Sequence, residues 1–119
     1  MVCWKESAEA ARAVAAAMPL LRKAKRAIFA SIAEAADGVV ESMQEIARQC
    51  ALNGVAAETR IIAPNGRTPD VGLAAEAGEC EADLVVMGAH GHSRMRELLL
   101  GGCTRAFISH SERPVLLMH

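Results

Sequence analysis

Short apolar runs alternate along this chain with longer segments in which apolar residues recur at helical spacing. The runs are too short for helices, so the alternation predicts strands separated by helices. The clearest run is Leu84 to Met87, which has valines at its centre and is ended by Gly88. Such a run is typical of a strand buried on both faces. The predicted strands are 2–4, 27–32, 55–63, 84–87 and 114–118.

Capping residues place helices between these strands. Ser7 is a suitable N-cap for an alanine-rich helix, and Pro19 is expected to kink or end that helix. The first predicted helix runs from Ser7 towards Ala17, and the second covers 38–52 and is ended by Asn53 and Gly54. The third begins at Pro69 and continues past Gly78, and the fourth runs from about Gly102 to His110. Strands and helices in alternation predict an α/β fold, a parallel sheet with helices on both faces.

Length, charge and cysteine content limit the functions open to the chain. Its 119 residues suffice for one domain, 1–119, whose core needs neither disulfides nor metal. Cys3, Cys50, Cys80 and Cys103 have no zinc or redox spacing, so we expect buried, reduced thiols. A formal net charge of −1 argues against sequence-independent binding to nucleic acid. No apolar stretch approaches the roughly 20 residues of a membrane span, and no signal peptide is evident, which predicts a cytoplasmic protein that does not contact membranes.

A glycine-rich segment, DLVVMGAHGHSRMRELLLGGCT, holds the candidate binding site. Gly88 and Gly91 follow a predicted strand, and Gly101 and Gly102 begin a helix whose first N–H groups lack intrahelical partners. This arrangement favours an anion, and His92 with several nearby arginines makes phosphate the natural ligand. The same glycines are equally expected of a tight loop and a helix boundary, and the residues alone leave both interpretations open.

The spacing of Gly88, Gly91 and Gly101 resembles the signature of the universal stress protein family. The flanking sequences ADLVVMGAHG, RELLLGG and RPVLLMH agree with it, and VCWKESAEAARAV is similar to the family's first strand and helix. The resemblance covers essentially the whole chain, although the middle third matches by pattern alone. It implies an open five-stranded sheet of order 3-2-1-4-5, in a Rossmann-like, adenine nucleotide alpha-hydrolase-like fold. Ligands of such sheets bind outside the carboxyl ends of the strands, where the strand order reverses direction.

The resemblance also implies a nucleotide site, because some members of this family bind ATP. In those members, loop glycines and a following hydroxyl residue hold the phosphates, and an acidic residue near the end of the first strand contacts the nucleoside. This chain departs twice from that pattern, since Gly102 stands in place of the hydroxyl residue and Lys5 in place of the acid. The residues implied for ATP or another adenine nucleotide, with Mg, are Met87, Gly88, Gly91, His92, Gly101, Gly102, Cys103, Thr104 and Lys5.

Two classes of function follow from these observations: a nucleotide-binding sensor or switch, and a dimeric interaction protein that binds no nucleotide. We expect at most slow ATP hydrolysis, because hydrolysis needs a positioned water and usually a metal carboxylate, and Glu97 is the only carboxylate within the loop. His90 and His92 have no further metal ligand at suitable spacing. No catalytic residue and no metal site is therefore assigned.

The closing strand predicts a homodimer. Its apolar residues form the edge of a sheet of this order, where unpaired backbone groups would be exposed. Members of the family commonly pair their last strands, which implies a dimer contact at or near Val115, Leu116, Leu117 and Met118. The alternative is that a helix or the chain end covers this edge.

The opening residues predict a shortened first strand. That strand should be central, yet few residues precede Lys5. The opening resembles the second repeat of tandem universal stress proteins. We therefore expect a fragment, a truncated relative, or a domain completed by pairing.

Overall fold

The computed structural model describes residues 1–33, 38–89 and 102–119, which form a five-stranded parallel sheet covered by helices on both faces. The strand order is β3-β2-β1-β4-β5, which confirms the predicted order 3-2-1-4-5. The elements in chain order are β1 Val2–Cys3, α1 Ala8–Leu21, β2 Ala27–Ile32, α2 Val39–Leu52, β3 Ala57–Ile62, α3 Pro69–Glu79, β4 Val85–Gly88, α4 Gly102–His110 and β5 Val115–Met118.

Strand β1 is short but lies at the centre of the sheet. Val2 is paired with Phe29 of β2 on one side and with Val86 of β4 on the other. Trp4 continues this pairing past the end of β1, because its N–H donates to the carbonyl oxygen of Ala30 at 2.8 Å. The main chain is therefore held between its neighbours up to the residue before Lys5.

Of the two predicted effects of Pro19, a kink or an end of α1, the second is wrong, because Pro19 lies inside a helix that continues to Leu21. The N–H of Arg22 still donates to the carbonyl oxygen of Met18. Proline removes one hydrogen bond, to the carbonyl of Ala15 four residues earlier. Both Pro19 and Ala15 are exposed, so water can reach that carbonyl and the helix continues through its last turn.

The other helix signals are confirmed, with small shifts at the ends of the elements. The hydroxyl of Ser7 accepts a hydrogen bond from the N–H of Ala10 and caps α1. Asn53 is the C-cap of α2, and Gly54 follows with a φ of 85°, which glycine adopts without steric penalty. The predicted third strand began too early, because the N–H of Val55 donates to the carbonyl of Cys50 and closes the end of α2.

Alternation along the strands divides the core into two layers. Val2 faces α1 and α2, where the largest completely buried side chains include Phe29 and Met43. Cys3 faces the opposite layer, formed with residues of α3 and α4 such as Leu73 and Phe107. Side chains of successive strand residues point to opposite faces, so one two-residue strand supplies both layers. The three inner strands β1, β2 and β4 are therefore buried on both faces, as their apolar runs predict, whereas the edge strands β3 and β5 are more exposed.

Gly88 at the end of β4 permits a close approach by α1. A Cβ atom at Gly88 would lie 2.6 Å from the main-chain nitrogen of Ala10 and 2.7 Å from the carbonyl carbon of Glu9. These are backbone atoms of the first helical turn and cannot move aside as a flexible side chain can. Gly88 has no positive φ, so it is the space beside it, and not its conformation, that requires glycine.

We expect Gly88→Ala to destabilise the protein by about 1–3 kcal/mol or more, because overpacking a rigid contact has such a penalty. Urea unfolding, followed by circular dichroism, measures the change in the free energy of unfolding. Gly78→Ala is the matched control, because a Cβ there meets nothing within 4 Å. Alanine in α3 should leave stability unchanged or raise it by up to about 1 kcal/mol. Equal stability of Gly88→Ala and the parent protein would contradict the packing role of Gly88.

Candidate ligand-binding site

A cavity of about 620 Å³ opens at the carboxyl ends of the central strands. Cys3, Trp4 and Lys5 line it at the end of β1, and Met87 and Gly88 line it at the end of β4. Strand β1 is paired with β2 on one side and β4 on the other, so the order of strands reverses direction here. This is the switch point at which open α/β sheets bind their ligands.

Six of the residues proposed from the sequence line this cavity. They come from three separate parts of the chain and are Lys5, Met87, Gly88, Gly102, Cys103 and Thr104. The other three, Gly91, His92 and Gly101, lie outside the described residues. The chain therefore brings together the loop after β1, the end of β4 and the first turn of α4. Their role in binding stays a prediction.

The first turn of α4 borders the cavity. Gly102 is its first residue and is exposed, and a Cβ at Gly102 would meet no atom of residues 1–33, 38–89 or 102–119 within 4 Å. The first N–H groups of a helix have no intrahelical acceptor and carry a partial positive charge. Since Gly102 adds no side chain, an anionic group has room to approach these N–H groups.

Lys5 supplies positive charge beside the same helix end. Its side chain is exposed and lines the cavity, and its charge acts on the thiol of Cys103. Burial raises the pKa of Cys103 above its usual value, the carboxylate of Asp70 raises it further, and Lys5 opposes both effects. Lys5 and Asp70 are thus both within electrostatic range of the first turn of α4.

Trp4 forms a wall that sequence reasoning missed. Its side chain is 7% exposed, and its indole N–H donates to the hydroxyl of Ser42 at 3.0 Å. The same hydroxyl donates to the carbonyl of Val39 at 3.2 Å, and Val39 also lines the cavity. Trp4 therefore joins the end of β1 to the first turn of α2. A lone tryptophan in a predicted strand suggests only core packing, so the sequence carries no signal for this role.

The remaining walls come from β2 and α3. Ser31, Ile32 and Ala33 lie at the carboxyl end of β2, and Pro69 and Leu73 belong to α3. The predicted strand order places the end of β2 next to that of β1, so topology alone could have nominated the β2 residues. The α3 residues depend on how that helix packs across the sheet, which the strand order does not specify.

Within 1–33, 38–89 and 102–119, no three His, Cys, Asp or Glu side chains are grouped closely enough to hold an ion. His90 lies outside these ranges, as does the Glu97 carboxylate. Among the helices in the described ranges, none has the length and apolar character needed to cross a membrane.

The structure is that of a doubly wound α/β protein with a cavity at the switch point of the sheet. The chain belongs to the universal stress protein family, whose family model matches residues 3–119. A comparison with curated proteins found no match.

Solved structures share this fold. The hypothetical protein MJ0577 has a TM-score of 0.82 and 20% identity over 98% of this chain and 93% of its own. A universal stress protein from Archaeoglobus fulgidus has a TM-score of 0.79 and 20% identity, covering 99% and 96% of the two chains. A universal stress protein in complex with cAMP has a TM-score of 0.76 and 26% identity, covering 99% and 93%. The likeness confirms the Rossmann-like fold inferred from the sequence.

Proposed function

We propose that this chain is a nucleotide-binding sensor of the universal stress protein family, which takes ATP or another adenine nucleotide, with Mg, into the cavity beside β1. The main support for this proposal is the cavity itself, because it combines a largely apolar wall with the first turn of α4 and the cation of Lys5. Its volume of about 620 Å³ falls within the roughly 300–1,000 Å³ of small-molecule sites. A universal stress protein of similar fold has been solved with cAMP, an adenine nucleotide.

The lining of the cavity offers surface for both the base and the phosphate of a nucleotide. Trp4, Val39 and Leu73 offer apolar surface for a base. Gly102 and Lys5 offer main-chain N–H groups and an ammonium for phosphate. Lys5 stands where the family pattern has an acid, so in this proposal it contacts phosphate and not the nucleoside.

Binding without rapid turnover fits the charged groups of the cavity. Among the described lining residues there is no carboxylate, and Lys5 is the charged side chain. Phosphoryl transfer to water usually depends on a held metal ion and a positioned nucleophile. In the proposed function the nucleotide therefore acts as a signal that changes the state of the protein, and hydrolysis is slow.

The test uses Trp4, the single tryptophan of the chain. Because Trp4 lines the cavity, ATP or AMP bound there should change its fluorescence in a saturable way, with a Kd in the micromolar range. Nucleotide released from the denatured, freshly purified protein should be identified by chromatography in parallel. Unchanged fluorescence, together with no binding of labelled ATP in equilibrium dialysis, would overturn the proposal.

We expect Gly102→Ser to tighten ATP binding by about 10- to 100-fold, because a hydrogen bond to a charged acceptor contributes about 1.5–3 kcal/mol. The described residues leave room for the added side chain, since none of them lies within 4 Å of a Cβ at Gly102. Gly102→Ala is the matched control and should leave affinity near that of the parent protein. Equal affinities of the serine and alanine variants, measured by the same titration, would show that phosphate does not lie at the start of α4.

A dimeric interaction module is the second candidate function, and the edge strand β5 favours it. Met118 and Pro114 accept hydrogen bonds from the N–H groups of Ala89 and Val85. In a parallel ladder, the N–H and C=O groups of successive residues point alternately towards and away from the neighbouring strand. The N–H and C=O groups of Val115 and Leu117 therefore point away from β4. The side chains of β5 are half-buried. A second copy of the chain, paired at this edge, would satisfy the outward groups.

We expect the parent protein to be a dimer in light scattering after size exclusion, and Leu117→Pro to be a monomer. Proline removes the outward N–H of Leu117 but none that β4 requires. Leu52→Ser is the matched control, since Leu52 is 76% exposed at the end of α2, away from β5. A monomeric parent protein, or a Leu117→Pro variant that stays dimeric while folded, would contradict pairing through β5.

A further inference from the structure

Three sulfur-bearing residues line the same cavity, and the proposed nucleotide function uses none of their sulfur atoms. Cys3 of β1 and Met87 of β4 are direct partners across the parallel ladder. Both belong to the core layer that faces α3 and α4, and Cys103 of α4 packs against that layer. All three line the cavity. The fold therefore gathers two thiols and a thioether from three separate elements.

We propose that Cys3, Met87 and Cys103 form a binding site for a soft monovalent metal ion, of which Cu(I) is the natural representative. Thiolate and thioether sulfurs are the ligands that select such ions. Binding exchanges two thiol protons for one metal ion, so that two S–H bonds break, two metal–thiolate bonds form, and two protons leave to solvent. Met87 adds a neutral third ligand. No electron is transferred.

The charged groups around the sulfurs act in opposite directions on the product of this exchange. One monovalent ion with two thiolates carries one net negative charge. Lys5 and the first turn of α4, in which Cys103 lies, favour that charge, whereas the carboxylate of Asp70 opposes it. Burial raises the pKa of the Cys3 thiol to about 12, and the charge of Cys103 contributes to the rise, so these two thiols are within electrostatic range of one another. Without metal both thiols are protonated and neutral, as an apolar wall requires.

The same ligand set argues against a harder ion. Structural zinc takes four ligands from Cys, His, Asp or Glu. The described residues supply no group of even three such side chains. Two thiols and a thioether provide three ligands, which is enough for a soft ion of low coordination number but one fewer than structural zinc requires.

The test titrates the whole protein, free of oxygen and nucleotide, with Cu(I) held by a chromophoric chelator. The parent protein should withdraw one equivalent of copper, and X-ray absorption should show sulfur neighbours only. Loss of a residue that only hydrogen-bonds to a metal ligand weakens metal affinity by roughly 10- to 100-fold. Cys103→Ala removes a ligand itself and should therefore weaken Cu(I) affinity by more than that. Cys3→Ala should do the same, and Met87→Leu should have a smaller effect.

Cys50→Ala is the matched control, because Cys50 is buried in the opposite core layer with α2. It should retain the parent affinity. Cys103 is only partly buried, so Cys103→Ala keeps the test decisive if Cys3→Ala fails to fold. Three results would overturn the site: no copper withdrawn by the folded parent protein, an equal loss in Cys50→Ala, or full binding by the folded Cys3→Ala, Cys103→Ala double variant. The readout is independent of nucleotide, so either proposal can fail alone.

Discussion

The contact between the first turn of α1 and Gly88 is the constraint on which the rest of the site depends. Backbone atoms of Glu9 and Ala10 occupy the space that any side chain at Gly88 would need. Because α1 starts directly at the end of β4, the loop that carries Lys5 is held over the carboxyl edge of the sheet. A glycine that resembles a ligand contact in the sequence thus has a packing role that would exist without any ligand.

Strand β1 contributes side chains to both layers of the core. Val2 belongs to the layer under α1 and α2, and Cys3 to the layer under α3 and α4. Trp4 then extends the first layer to the edge of the cavity and ties it to α2 through Ser42. The walls of the cavity are therefore continuous with the core, and a ligand that enters it contacts side chains whose positions both layers determine. Such a site is preorganised, which lowers the entropic penalty of binding.

The cavity joins two kinds of chemistry that local sequence keeps apart. The cation of Lys5 and the start of α4 favour an anion, whereas Cys3, Met87 and Cys103 offer soft sulfur ligands on a neighbouring wall. Both proposals draw on Lys5, because phosphate and a metal–dithiolate complex are each negatively charged. The proposed interaction edge of β5 is separate from this chemistry, since no residue of β5 lines the cavity.

The sequence by itself determined the order and type of the elements, because apolar runs, Ser7, Gly54 and Pro69 act through local rules of strand burial and helix capping. The resemblance to the universal stress protein family added the strand order, which implies that Lys5, Met87 and Gly102 lie near one another. Only the tertiary structure decided that Trp4 and Leu73 form walls, that Pro19 stays within its helix, and that Cys3 and Cys103 share one layer. Those facts depend on how the helices pack across the sheet and on which groups water can reach. The spacing of residues along the chain does not specify the distance in space between residues that are far apart in sequence.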